Sequence, residues 1–190
     1  LRIWRIEFTV FIITTIVMLL FTRWDAISHG GDQLDMRNLA LNLFSDKPFI
    51  QNSVSYFFDW RPLGYPDDHF GPLPVIIWGV LIRITNGWEN SYLLFNALIW
   101  SVQVFLWSYL SQSIIRSRLP GLLTFIIFSY SLNVPDLVTS GMQDPLFLFC
   151  ILAFSTFLVK GITNKNIIFS SIFLGLSCLT RFFSWVAMII

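Results

Sequence analysis

The chain has 190 residues, of which 55% are hydrophobic and 12% are charged. This composition is too apolar for an ordinary soluble domain of this size, and it predicts an integral membrane protein. The formal net charge of +1, without a basic block that could neutralise phosphates, argues against nucleic acid as a partner. Both cysteines, Cys150 and Cys178, lie in apolar runs, which predicts small core residues and no disulfide framework or metal spacing.

Five apolar segments are predicted to span the membrane. The first covers residues 3–21, and nineteen helical residues at about 1.5 Å each reach about 29 Å, enough for the hydrocarbon core. The others are residues 91–110, 119–132, 145–159 and 167–190. Because the sequence begins at Leu1 and stops within the last segment, we expect residues 1–190 to be the N-terminal part of one longer membrane domain.

Residues 22–90 form a long connection between the first two spans. Within it, residues 72–85 are apolar but only about fourteen residues long and contain Arg83, which favours an interfacial or re-entrant helix over a span. If this segment does not cross, six basic residues fall on one side, as the positive-inside bias expects. They are Arg2, Arg5, Arg116, Arg118, Lys160 and Lys165.

With this topology, residues 22–90 and 133–144 face outward, and if residues 72–85 crossed instead, the last four of those basic residues would lie outside. We adopt the non-crossing arrangement. The predicted fold is therefore all-α: a polytopic bundle of about five transmembrane helices, with an amphipathic interfacial helix in the first external loop.

The stretch "GGDQLDMRNLALNL" predicts that interfacial helix. Positions 32, 35, 38, 42 and 46 carry a polar stripe at helical spacing, and the apolar residues between them turn toward lipid or the spans. Asp32 suits an N-cap, with Asp35 three residues later in the place of a capping box. The alternative interpretation is that these carboxylates do chemistry at the membrane surface.

A second carboxylate raises the same alternatives. Asp144 precedes Pro145, a common way to begin a helix with an N-cap aspartate and proline at the first helical position. It also lies at the outer mouth of a predicted span, as Asp32 does, and carboxylates gathered there suit a general base, a metal, or both. Asp67-Asp68-His69 offers further metal-ligand types, although turn formation explains its aspartates equally well.

Arg181 lies within the fifth predicted span, in its outer half. A guanidinium at membrane depth is costly unless it faces a cavity or a partner, so it marks a functional position. It suits an ion pair with a carboxylate and, equally, bidentate contact with the phosphate of a lipid.

The ordered series of these segments resembles a known family. The acidic stretch is followed by "GPLPVIIWGVLIRITNG", a span ending in "RSR", then "TSGMQDPLFLFCILAFSTFLVKG" and "FLGLSCLTR". The series is similar to the N-terminal half of membrane glycosyltransferases of the GT-C superfamily, in particular the protein O-mannosyltransferase and aminoarabinose-transferase branches. The likeness covers nearly all of the chain, although each motif alone is loose.

The resemblance implies an inverting enzyme that moves a sugar from a polyprenyl-phosphate carrier to a protein, lipid or glycan acceptor at the extracytoplasmic face. Asp32 matches the family's catalytic acidic residue in the first external loop. Gln33 stands where the family has a second acidic residue, which leaves Asp35 as the candidate substitute. Asp144 matches a further acidic residue at the start of the fourth span.

The resemblance also implies where the carrier phosphate binds. The element "FGPLP" corresponds to a "KPPL"-like motif, but Phe70 takes the place of its basic residue, and His69 is the candidate replacement. Arg181 matches the basic residue late in the fifth span. We therefore predict Asp32 as general base, Asp144 as orienting partner or metal ligand, and Arg181 with His69 or Arg61 at the phosphate.

Two matters stay open in the sequence. A divalent metal is a candidate cofactor, with Asp32, Asp144 and His69 as its candidate ligands. A transporter or flippase for a polar lipid is the alternative function, although such proteins tend to show two repeated halves and no repeat is evident. The composition is compatible with a bacterial or archaeal plasma membrane and also with the endoplasmic reticulum.

Overall fold

The computed structural model describes residues 2–22, 31–46, 48, 71–88, 90–131, 134–139 and 143–181. Within these ranges every regular element is a helix and no strand occurs, which confirms the all-α prediction. The helices are α1 (Arg2–Phe21), α2 (Gly31–Asn42), α3 (Pro72–Ile84), α4 (Ser91–Ile115), α5 (Leu119–Ser129), α6 (Val134–Thr139), α7 (Asp144–Val159) and α8 (Asn164–Thr180).

Two of these helices have the length and apolar character of membrane spans. They are α1, from Trp4 to Phe21, and α4. The helices α5, α7 and α8 correspond to the other three predicted spans but contain 11, 16 and 17 residues. At about 1.5 Å per residue, α5 reaches only about 17 Å. Membrane character therefore rests on two helices, and the five-span arrangement stays a prediction.

The fifth predicted span differs from the helix that the structure contains. We expected residues 167–190 to be broken only by Arg181, but α8 ends at Thr180 and Arg181 has an extended backbone (φ −141°, ψ 134°). A cation directly after a helix is favoured by the partial negative charge of the last carbonyl groups. Arg181 therefore caps a helix end. Residues 182–190 lie outside the described part of the chain.

The helices α1 and α5 run in the same direction. Arg118, directly before α5, pairs with Glu7 near the start of α1, and its Nη1 lies 3.2 Å from each carboxylate oxygen. Tyr130, directly after α5, has its hydroxyl 3.4 Å from that of Thr14, farther along α1. Because the two contacts come in the same order along α1 and α5, the two helices are parallel.

The helix α4 runs antiparallel to both of them. It leads into the turn that precedes Arg118, and the indole N–H of Trp100 donates to the Ser129 hydroxyl at 3.0 Å. Since α1 and α4 point in opposite directions, the 13-residue α3 between them does not reverse the path of the chain through the bundle. Whether residues 72–85 cross a bilayer stays a prediction.

The helices α7 and α8 form an antiparallel hairpin held by aromatic rings. The centroids of Phe157 and Phe169 are 5.1 Å apart, and those of Phe149 and Phe173 are 6.0 Å apart. The hairpin packs on α4, because Gln103 bonds to α7 near its start and Lys160 lies 4.9 Å above the Tyr109 ring near its end. The turns that follow α4 and α7 therefore lie at the same end of the bundle, beside the start of α1.

A second layer is formed by α2, α3 and the first turns of α4. The helices α2 and α3 lie so close that a Cβ on Gly79 would be 2.8 Å from the Ala40 carbonyl oxygen. One turn later, the Arg83 guanidinium lies 5.2 Å above the Phe44 ring, so both helices run in the same direction. The shared core of this layer consists of Met36, Leu39, Ala40, Val75, Trp78, Ile82, Tyr92 and Leu93.

In this layer the described apolar residues of α2 face inward as predicted, while the polar stripe with Asp32 and Asp35 stays a prediction. The apolar side chains Met36, Leu39 and Ala40 are buried, and they face α3 and α4. The helix ends at Asn42, so Asp46 lies in the bend that follows instead of extending the polar stripe. It also begins at Gly31, which places Asp32 inside the first turn and not at the N-cap that we predicted.

Candidate functional site

The site is centred on an ion pair between Asp144 and Arg181. Nη2 of Arg181 lies 2.5 Å from Oδ1 of Asp144, and the two side chains are 33% and 20% exposed, respectively. The α7–α8 hairpin brings these residues together, because Asp144 is the first residue of α7 and Arg181 directly follows α8. The Phe147 ring, whose centroid is 6.0 Å from the guanidinium carbon, forms part of the surroundings.

The start of α7 differs by one residue from the prediction. Gln143 is the N-cap, without a side-chain capping bond, while Asp144 and Pro145 are the first two helical residues. The N-cap prediction for Asp144 is therefore wrong. Its carboxylate pairs with Arg181 instead of capping the helix. In the first turn the carboxylate still benefits from the partial positive charge of the unpaired N–H groups.

Two polar atoms at this pair are buried without a hydrogen-bond partner among the described residues. Oδ2 of Asp144 and Nε of Arg181 have no hydrogen bond within the described part of the chain. Such atoms are uncommon in proteins, because a buried polar group without a partner loses its hydration. Among the described residues, the ion pair thus leaves one acceptor and one donor without a partner, and such atoms are suited to a polar ligand.

Two side chains of α4 extend this polar cluster. Gln103 is fully buried; its Nε2 donates to the Pro145 carbonyl at 2.9 Å, and Oε1 has no partner among the residues described. Tyr92 is also fully buried, its hydroxyl lacks a hydrogen bond to any described group, and the charge of Asp144 acts on it. The Trp78 ring, stacked at 4.8 Å, holds the Tyr92 ring from the α3 side.

The start of α3 lies at the same place. A Cβ on Gly71 would overlap the carbonyl oxygens at the end of α8, those of Leu179 and Thr180. Only a residue without a side chain allows this approach. The glycine of "FGPLP", the segment that the family resemblance assigned to the carrier phosphate, therefore reaches the end of α8 next to Arg181.

The predicted residues of α2 are located by backbone only. Asp32 and Asp35 lie in the first turns of α2, and their side chains lie outside the described set. Since α2 runs in the same direction as α3, its first turn is at the end of the layer where Pro72 begins α3. The backbone of Asp32 thus belongs to the same end of the molecule as Asp144.

Two other predicted residues, Arg61 and His69, lie outside the described residues, as do Asp67 and Asp68. Among the side chains that are described, no three His, Cys, Asp or Glu residues come together as metal ligands. At the ion pair itself, Asp144 is a single carboxylate already engaged by a cation. Of the three candidate metal ligands, Asp144 is the one whose side chain is described, so the metal site stays a prediction.

A cavity of about 440 Å³ lies elsewhere, between the C-terminal ends of α2 and α3. Its lining includes Phe44, Gly79 and Arg83 and contains neither Asp144 nor Arg181. It therefore does not belong to the polar cluster.

Sequence reasoning missed Gln103 and Tyr92. A glutamine in the middle of an apolar helix is itself a signal, because burial of its amide requires a partner. Tyr92, at the start of α4, follows the usual pattern of an interfacial aromatic residue and carries no such signal.

Comparison with known proteins adds no relative. No protein-family model, no curated protein and no solved structure matches this chain.

Proposed function

We propose that the protein is an inverting membrane glycosyltransferase of the GT-C type, which transfers a sugar from a polyprenyl-phosphate carrier to an acceptor hydroxyl. The observation that carries the proposal is the Asp144–Arg181 pair, whose Oδ2 and Nε have no hydrogen-bond partner in the part of the chain that the structure describes. A guanidinium held by a carboxylate on one edge can offer its other N–H groups to a phosphate. The acidic first turn of α2, at the same end of the molecule, supplies a candidate base.

The reaction uses these groups in separate roles. The carboxylate of Asp32 accepts the proton of the acceptor hydroxyl as its oxygen attacks the anomeric carbon from the face opposite the phosphate. The bond between that carbon and the phosphate oxygen breaks, and the electron pair leaves with the phosphate. Arg181 stabilises the growing negative charge, while Asp144 orients the guanidinium. His69 or Arg61 would add further positive charge.

The proposal of a membrane location rests on the directions of the helices and on the exposed apolar surface of α1. The helix α1 exposes many large apolar side chains. Only 17% of the stretch from Trp4 to Phe21 is buried, unlike the core helix of a soluble protein. We infer that α1, α4, α5, α7 and α8 cross the membrane in alternating directions. The basic turns then lie on the cytoplasmic side, and the ion pair lies toward the extracytoplasmic face of a bacterial or archaeal plasma membrane, or toward the lumen of the endoplasmic reticulum.

The proposal is tested with purified full-length protein and a synthetic polyprenyl-phosphate sugar labelled in the sugar. We expect release of free carrier phosphate together with a labelled acceptor. A transporter or flippase would move the lipid between leaflets without breaking the sugar–phosphate bond, and this outcome would contradict the proposal.

Single substitutions assign the roles. Asp32→Asn is expected to lower turnover about 100- to 10,000-fold, the usual effect of losing a general base. Arg181→Gln is expected to lower it about 100- to 1000-fold through loss of charge stabilisation. Asp46→Asn, an exposed carboxylate after α2, and Arg116→Gln, at the opposite end of the bundle, serve as matched controls. Full activity of Asp32→Asn would remove Asp32 from the role of base.

A further inference from the structure

Gln103 connects the centre of α4 to the first turn of α7. Its side chain is fully buried, and its Nε2 donates to the Pro145 carbonyl at 2.9 Å. A carbonyl oxygen only accepts, so the amide nitrogen must face Pro145. The other end of the same amide, Oε1, is buried without a partner in the described structure.

This hydrogen bond acts on the residue that precedes Pro145. Asp144 and Pro145 are consecutive residues in the first turn of α7, and the stacked phenylalanines join α7 to α8. A contact that fixes Pro145 against α4 therefore fixes the carboxylate of Asp144 and, through the ion pair, the guanidinium of Arg181. The aromatic contacts hold α7 against α8. The Gln103 hydrogen bond, by contrast, fixes the position of the open end of this hairpin against α4.

We propose that Gln103 is a positioning residue for the Asp144–Arg181 pair, acting through its hydrogen bond to the Pro145 carbonyl. This inference rests on the proposed function and deepens it. Of the other described charged groups on elements packed against α4, Glu7 of α1 is paired with Arg118, Arg83 of α3 lies over the Phe44 ring, and Lys160 lies over the Tyr109 ring. Among the described side chains, those that carry charge at the open end of the hairpin are Asp144 of α7 and Arg181 after α8.

The test is the pH profile of Gln103→Glu. The ionised glutamate would direct an oxygen at the Pro145 carbonyl and place a second negative charge beside Asp144, so the hydrogen bond is lost. The neutral glutamic acid carries an O–H and restores the donor. Lowering the pH converts the ionised glutamate to neutral glutamic acid, which can again donate to the Pro145 carbonyl. The ratio of variant to wild-type turnover should therefore rise as the pH falls.

Gln103→Met supplies the comparison without a donor. It keeps an unbranched side chain of similar length, and its turnover relative to wild type is expected to be about 10- to 100-fold lower at every pH, with little change in KM, as for a small misplacement of reacting groups. Gln112→Glu makes the same chemical change at an exposed position of α4 and should leave the ratio near one throughout.

The outcomes separate the two proposals. An active wild type with a pH-independent ratio for Gln103→Glu, or with full turnover of Gln103→Met, overturns the role of Gln103 and leaves the proposed function standing. Variants that lose folding together with activity, with no recovery at low pH, assign Gln103 to structure alone and also overturn it. An inactive wild type overturns the proposed function and this inference with it.

Discussion

At the scale of single residues, a buried carboxylate on α1 shows how charge is accommodated in an apolar helix. Glu7 is 1% exposed, and both of its oxygens lie 3.2 Å from Nη1 of Arg118. The same guanidinium lies 4.6 Å above the Trp4 ring. A charge in this place is tolerated because a partner and an aromatic face replace the lost hydration.

Removing Glu7 should therefore destabilise the protein. Breaking a buried pair from one side typically costs about 3–5 kcal/mol, and because Arg118 is 21% exposed we expect about 2 kcal/mol for Glu7→Ala. The measurement is reversible unfolding in detergent micelles for Glu7→Ala, Arg118→Ala and the double variant. A coupling energy near zero in this cycle would contradict the pairing. Arg5→Ala, an exposed charge in the same helix, is the control.

The Asp144–Arg181 pair shows what can be predicted from the sequence about a single residue and what cannot. Asp144 and Arg181 were each singled out because a carboxylate before proline and a guanidinium in an apolar run are unusual. Whether Arg181 meets a carboxylate or a free phosphate could not be decided from the residue itself. That choice depends on the α7–α8 hairpin, whose aromatic contacts bring the two ends together.

At the scale of elements, the contact between α4 and α5 depends on a glycine. A Cβ on Gly121 would overlap the Trp107 carbonyl oxygen and crowd the Ser111 side chain. Because the overlap is with backbone, no side-chain rotation relieves it, and α5 would have to move away from α4. The missing side chain of Gly121 is what allows α5 to pack so closely.

We predict that Gly121→Ala lowers the melting temperature. Overpacking typically costs about 1–3 kcal/mol, which exceeds the gain of up to about 1 kcal/mol from replacing a helical glycine with alanine. Gly175→Ala in α8 is the matched control, because a Cβ there meets nothing within 4 Å. It should leave the melting temperature unchanged or raise it. Equal shifts for the two variants would contradict the close packing of α4 and α5.

Helix positions were predictable from apolar runs, but helix ends were less so. The starts of α4 and α5 agree with the predicted segments, because a turn or a proline interrupts the apolar pattern there. The end of α8 was missed, since "RFFSW" continues the apolar composition while the backbone changes at Arg181. A hydrophobic pattern predicts which segments can be buried, but it does not predict where a charged residue ends a helix to pair with a residue of another helix.

At the scale of the whole molecule, the direction of the helices shows which helix ends and turns lie together. The turn after α4 and the turn after α7 lie at one end of the bundle, together with the start of α1. The layer of α2 and α3, which packs on the first turns of α4, lies at the other end together with the end of α5. This arrangement holds only if α3 does not cross, so the ambiguous segment of the sequence determines on which face every later residue lies.

Labelling of single cysteines in sealed vesicles tests this topology, after Cys150 and Cys178 have been replaced by alanine. Ser45→Cys lies after α2 and Ser131→Cys after α5, and both should react with a membrane-impermeant maleimide from the same side. Ser117→Cys and Asn164→Cys, in the turns after α4 and before α8, should react only from the opposite side. The first two positions share a side because the path between them crosses twice, through α4 and α5. If Ser45→Cys and Ser117→Cys react from the same side, α3 crosses the bilayer. The acidic turn of α2 and Asp144 then lie on opposite faces of the membrane, where they cannot act on one substrate.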